Sequence, residues 1–225
     1  LNVPCYKIAS FELIDLQLIR RVAQTGKPII MSTGMASLSE IELAVSAARE
    51  EGNEQIILLK CTSTYPATAN DSNLLTIPHM REAFGVQVGL SDHTMGVGVP
   101  CAAVALGATV IEKHFTLSRE DGGVDAAFSL EPSELKLLVD ETKRAWQAIG
   151  KVHYSGSDNE QASLKFRRSI YIAEDISEGA VLTKENLRVI RPGFGLSPKY
   201  IEILLGRRVN QKLKKGTAMS WEYIG

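Results

Sequence analysis

The stretch VGLSDHT (88–94), MGVGVPCAAVALGA (95–108) and TVIEKHFT (109–116) decides the fold. Two short apolar runs each end in a polar cluster holding one histidine, His93 and His114. The small residues between them suit a helix, so the whole is a strand–helix–strand unit. Side chains alternate along a strand, so Ser91 shares a face with His93, and Glu112 with His114. If the strands are parallel neighbours, both imidazoles project into one site. That arrangement predicts a metal site in a barrel fold.

The same grammar runs back to the amino end. Strands are predicted at Pro4–Ile8, Lys27–Met31, Gln55–Lys60, Val86–Leu90 and Thr109–Lys113. After the first, Leu13, Leu16, Ile19, Val22 and Ala23 recur at helical spacing, and Gly26 closes the pattern. Ser37 and Glu40 are placed as a capping box for a helix to Glu51. A short helix is expected around Leu74–Ala83, and an amphipathic one over Ser133–Ile149. The strands are apolar almost throughout, as in a parallel sheet buried on both faces. Their polar residues gather at the carboxyl ends, where parallel α/β folds carry their chemistry. Five such units fit a TIM (β/α)₈ barrel lacking about its first three βα units. An open doubly wound sheet fits the same pattern.

After Gly150 the pattern changes. Residues 1–150 read as the partial barrel and 151–165 as a polar linker. Residues 166–225 read as a small β-rich module, with β runs at Ser169–Ala173, Leu187–Ile190 and Arg207–Val209.

Composition narrows the function classes. A hydrophobic fraction of 44%, 23% charged residues and a net charge of −1 describe an ordinary globular chain. Nothing points to a nucleic-acid or membrane surface, and no apolar run approaches the roughly 20 residues of a membrane span. The opening LNVPCYKIAS has no basic leader region and no initiator Met, as expected of a chain that has lost its beginning. Cys5, Cys61 and Cys101 sit in apolar contexts and read as buried free thiols in a reducing, cytoplasmic setting.

The polar residues at the strand ends carry the chemical reading. Two imidazoles make an incomplete ligand set that leaves room for water and substrate oxygens. His79 and His153 lie in surface segments and read as inert. Lys7 interrupts a strand, where burial is costly unless it meets an anion or forms a Schiff base. Ser10, Ser32, Ser63 and Ser91 occupy four strand ends, a hydroxyl ring suited to an oxyanion beside Lys7. Glu12 and Asp125 are candidates for acid–base work or sugar binding, and equally for a cap or a solvated loop. The loop SREDGGVDAAFSLEP (118–132) has the length and glycines of a mobile active-site loop.

Together YKIASFE (6–12), PIIMSTGMAS (28–37), LLKCTSTYPA (58–67), GLSDHT (89–94), IEKHFTLSR (111–119) and SLEP (129–132) resemble the sialic acid synthase family. Residues 167–198 resemble that family's antifreeze-like SAF domain. The resemblance implies a phosphoenolpyruvate-dependent synthase of nine-carbon sugar acids, built on a TIM barrel that here starts at about its fourth strand. By that likeness His93 and His114 hold a divalent cation, Mn²⁺ or Mg²⁺. Lys7, Ser10, Ser32 and Ser91 match phosphoenolpyruvate-binding positions. Glu12, Tyr65 and Asp125 match positions that meet the amino-sugar acceptor. Ser63 stands where the sialic acid branch often has Asn. Arg191 matches an arginine reaching into the partner's site of a domain-swapped homodimer. The segment GGVDAAFSLEP (122–132) resembles the pseudaminic acid branch, whereas the N-acetylneuraminate branch, which takes N-acetylmannosamine, tends to carry a GPDH-like segment there.

Two rival classes follow from the residues alone. Lys7 by itself would serve a Schiff-base aldolase, which borohydride trapping would reveal. An open barrel with exposed sheet edges would suit an inactive fragment or a binding module.

Overall fold

Five parallel strands are laid down in chain order, β1 (Tyr6–Ile8), β2 (Ile29–Ser32), β3 (Ile56–Cys61), β4 (Gln87–Asp92) and β5 (Ile111–Lys113). The structure is a computed structural model and describes residues 2–225. Helices α1 (Leu16–Ala23), α2 (Leu38–Glu50), α3 (Thr76–Phe84) and α4 (Gly98–Ala105) connect the strands, and α5 (Pro132–Ile149) follows β5. Each strand thus pairs with its sequence neighbour through a crossover, the parallel arrangement the pattern predicts.

Local signals explain the helices. Asp15 caps α1 by accepting from the Leu18 N–H, which starts the helix three residues after Leu13. Ser37 and Glu40 form the expected reciprocal box at α2. Pro132 opens α5, where its missing N–H is harmless. Gly85 ends α3 in the left-handed conformation, with φ of +65°.

Register and alternation divide the sheet into two faces. Ile8, Ile29, Met31, Ile56, Leu58, Val88 and Leu90 point to the helices and form one core with Leu13, Ile19, Ala44, Ile77 and Met80. Lys7, Ser32, Cys61, Ser91 and Glu112 point the other way. That face is concave. Four strand spacings of about 4.8 Å would set β1 and β5 roughly 19 Å apart in a flat sheet. Yet Lys7 Nζ on β1 lies 3.6 Å from Glu112 Oε1 on β5. The sheet is therefore a curled parallel half-barrel.

The chain divides into two compact units, Leu1–Lys151 and Val152–Gly225. In the second, β6 (Ser169–Ile172) pairs antiparallel with β7 (Leu187–Ile190), and α6 (Ile201–Leu204) follows. Its own core comprises Ile170, Ile172, Ile176, Leu182, Leu187, Leu204, Val209, Leu213 and Met219. Arg207–Val209 is not a ladder strand; Arg208 and Val209 make isolated bridges to Val181 and Ile224. The polar stretch 151–165 is not all linker: Asp158–Phe166, which runs one residue past it, winds into a 3₁₀ helix boxed by Ser157 and Glu160.

Two expectations about burial are corrected. Of the cysteines only Cys61 is buried, and Cys5 and Cys101 are half-buried. The Lys7 side chain is 33% exposed, because β1 is an edge strand open to solvent on the concave side. Among the described residues no helix is long and apolar enough to cross a membrane.

Candidate active site

The strand ends place three groups of side chains on or beside the concave face. The first joins β1, β2, β4 and β5. Lys7 Nζ donates to Ser32 Oγ at 2.8 Å, and Ser91 Oγ donates to Glu112 Oε1 at 2.7 Å. Glu112 thus stands between Lys7 and Ser91, a carboxylate facing an ammonium across the half-barrel. Ser32 and Ser91 are buried and so rigidly presented.

The second group surrounds Gly34. The Gly34 N–H donates to Ser10 Oγ at 3.0 Å. A side chain at Gly34 would put its Cβ 2.1 Å from Ser63 Oγ and 2.8 Å from Ser10 Oγ. The two hydroxyls therefore converge on a backbone that only glycine lets approach. Cys61 Sγ lies 3.7 Å from Ser63 Oγ.

The third group is aromatic. The rings of His93 and His114 lie 5.2 Å apart, centroid to centroid. Tyr65 lies 4.4 Å from His93, and Phe128 lies 5.1 Å from His114. Burial pushes the Tyr65 phenol up, with Cys61, Asp125 and Glu112 adding to the effect.

Each imidazole is fixed from behind. His93 Nδ1 donates to the Thr62 carbonyl at 2.8 Å, which leaves its lone pair on Nε2. Thr62 is itself held, since its hydroxyl donates to the Asp71 carbonyl and accepts from Lys60 Nζ. Burial pulls the Lys60 ammonium below its ordinary value, offset in part by Cys61 and Asp71. His114 Nδ1 lies 3.4 Å from Asp125 Oδ2. Asp125 reaches that place because Leu130 returns beside β5, its N–H donating to the His114 carbonyl. Arg119 ties the base of this loop to Ser129, Glu131 and Glu134.

Nδ1 of each ring thus faces a protein oxygen. Imidazoles backed by a carbonyl and a carboxylate are common supports of a metal site. Among the described residues no group of three or more His, Cys, Asp or Glu side chains forms a closed cage.

Other predicted residues lie apart. The Glu12 carboxylate accepts from the Ala9 N–H at 2.8 Å, so it caps a 3₁₀ turn at the rim. His79 and His153 are exposed, as expected. Arg191 is exposed in the second unit, just after β7. The sequence reading assigned no role to Glu112, Lys60 or Thr62. Glu112 was detectable by its parity with His114; the others depend on cross-strand register.

A half-barrel with lysine, hydroxyls and paired imidazoles at the carboxyl ends of its strands defines a parallel α/β protein with its polar groups where such folds carry their sites. The chain belongs to the NeuB family, whose model matches residues 1–154, and a SAF domain is matched over residues 167–224. It is 42% identical over its full length to a pseudaminic acid synthase of Helicobacter pylori, and spans 66% of that protein. It is 38% identical over its full length to an N,N'-diacetyllegionaminic acid synthase of Legionella pneumophila, and spans 64% of it. The chain thus covers slightly less than two thirds of both relatives. A crystal structure of an N-acetylneuraminic acid (sialic acid) synthetase from Leptospira borgpetersenii, in complex with citrate, superposes with a TM-score of 0.67. That match is 39% identical, over 72% of this chain and 57% of the other.

Proposed function

We propose that the protein is a pseudaminic acid synthase, condensing phosphoenolpyruvate with 2,4-diacetamido-2,4,6-trideoxy-altrose and water to give the nonulosonic acid and phosphate. One observation carries the reading: Lys7, Ser32, Ser91 and the facing imidazoles of His93 and His114 gather on one concave surface. The full-length similarity to pseudaminic acid synthase favours this acceptor over N-acetylmannosamine.

Lys7 is placed to neutralise the donor's carboxylate or phosphate, with Ser10, Ser32, Ser63 and Ser91 as hydroxyl partners. Carbon 3 of the donor attacks the acceptor's open-chain aldehyde, and a carbon–carbon bond forms. Water adds at carbon 2, and the bond from carbon 2 to the phosphate oxygen breaks, releasing phosphate. His93 and His114 would hold the divalent cation, Mn²⁺ or Mg²⁺, which when bound supplies a Lewis acid for an aldehyde oxygen. Asp125 orients the His114 ring at the acceptor side. Tyr65 and Phe128 wall the same space, and Glu12 or Asp125 handles the protons.

The fold proposal has the same footing. The positions of β1 and β5 at the ends of the strand order, and the exposed apolar side chains Val139 and Trp146 on α5, suit three further βα units that would close a TIM barrel. A domain-swapped homodimer in the cytoplasm, with Arg191 serving the partner's site, completes the proposal.

The test is phosphate release from phosphoenolpyruvate in the presence of Mn²⁺, with each candidate acceptor supplied in turn. Release with the diacetamido-trideoxy-altrose is the expected result. Release with N-acetylmannosamine alone would overturn the branch, and a borohydride-trapped adduct on Lys7 would overturn the mechanism.

A further inference from the structure

Behind the two imidazoles lies an ion pair that the chemistry above does not use. Asp92 ends β4 and Lys113 ends β5, and the two are register partners. Their side chains point away from the concave face and are only 3% and 2% exposed. Lys113 Nζ lies 3.0 Å from Asp92 Oδ2. Thr94 closes the cluster: its N–H and hydroxyl donate to Asp92, each at 3.0 Å, and its carbonyl accepts from Lys113. Thr94 is buried as well.

A buried pair of this kind contributes little net stability, because desolvation offsets the attraction. What it does supply is register, since any slip between the strands would strand a charge in the apolar layer. His93 follows Asp92 directly, and His114 follows Lys113 directly. Alternation turns both rings to the opposite face. The lock is therefore one residue away from each imidazole, on the far side of the same two strand ends.

We propose that Asp92, Lys113 and Thr94 form a positioning lock that sets the spacing of His93 and His114 for one shared cation. The inference rests on the metal reading of those histidines. The three residues touch neither substrate nor ion; they act through the strand ends they join.

The test compares the parent chain with Asp92→Asn/Lys113→Met, which removes both charges together and leaves no unpaired ion. Mn²⁺ affinity is read from the free-ion electron paramagnetic resonance signal, phosphoenolpyruvate affinity by calorimetry without metal, and stability by thermal unfolding. The double variant should keep its unfolding temperature and its phosphoenolpyruvate affinity, and lose roughly tenfold or more in Mn²⁺ affinity. Should it fail to fold, Thr94→Val, which removes only the hydroxyl donor, decides the matter by a severalfold loss confined to Mn²⁺. Unchanged Mn²⁺ affinity, or equal losses for both ligands, overturns the lock. If the parent shows no saturable Mn²⁺ binding that His93→Ala and His114→Ala abolish, the metal reading fails and the lock falls with it.

Discussion

Lys7 and Glu112 come from the first and last strands of the sheet, and their meeting gives the concave face one cation and one anion at hydrogen-bonding reach of two buried serines. Lys7→Met removes the cation while keeping the length of the side chain. It should weaken phosphoenolpyruvate binding by about ten- to a hundredfold, the worth of one charge-assisted hydrogen bond; titration calorimetry measures it. Gly34→Ala drives a methyl group into Ser63 and Ser10. It should cost phosphoenolpyruvate affinity about tenfold, since both hydroxyls must turn away, and the unfolding temperature reports whether the fold is spared. The histidines and Lys7 were legible in the sequence because each breaks an apolar run. The Thr62 carbonyl that orients His93 was not, because a backbone acceptor leaves no mark in residue type.

Strand β4 owes its place to a missing side chain. A Cβ on Gly89 would lie 2.3 Å from the Val110 carbonyl oxygen and 2.7 Å from Leu59 Cδ2. Gly89→Ala should therefore destabilise the first unit by about 1–3 kcal/mol, read by denaturant unfolding. Helix α5 anchors the loop that carries Asp125 through Glu134. The Arg119 guanidinium, with the Glu131 backbone N–H, holds the Glu134 carboxyl below the usual range. A carboxylate depressed in this way adds stability above its unfolded value, about 4.3, and loses it as pH falls through the folded value. Glu134→Gln should thus lower the unfolding temperature at pH 7, and the difference should shrink as the medium is made more acidic than about pH 4.3. A capping signal made α2 readable: Ser37 with Glu40 sits where the periodicity begins. Strand ends shifted by one or two residues, since apolar runs do not say where pairing stops. Arg207–Val209 was read as a strand from β-prone residues, but it finds only isolated partners.

The two units bury separate cores, which gives them different prospects alone. Residues 152–225 expressed alone should unfold cooperatively, because their core is internally complete. Residues 1–151 expressed alone should associate, because β1 and β5 stand at the two edges of the sheet; light scattering distinguishes the two outcomes. The overall α/β class could be read from alternating strands and helices, whereas the curl of the sheet depends on contacts such as Lys7 with Glu112 that apolar patterning does not mark. The division of the sheet into an oily convex side and a polar concave side has a further consequence. The helix-facing isoleucines, leucines and valines form the core of the first unit, so the hydroxyl-bearing strand ends opposite them carry less of that duty. Exchanges among those strand-end side chains can change what the concave face recognises while the helix-facing core keeps its packing.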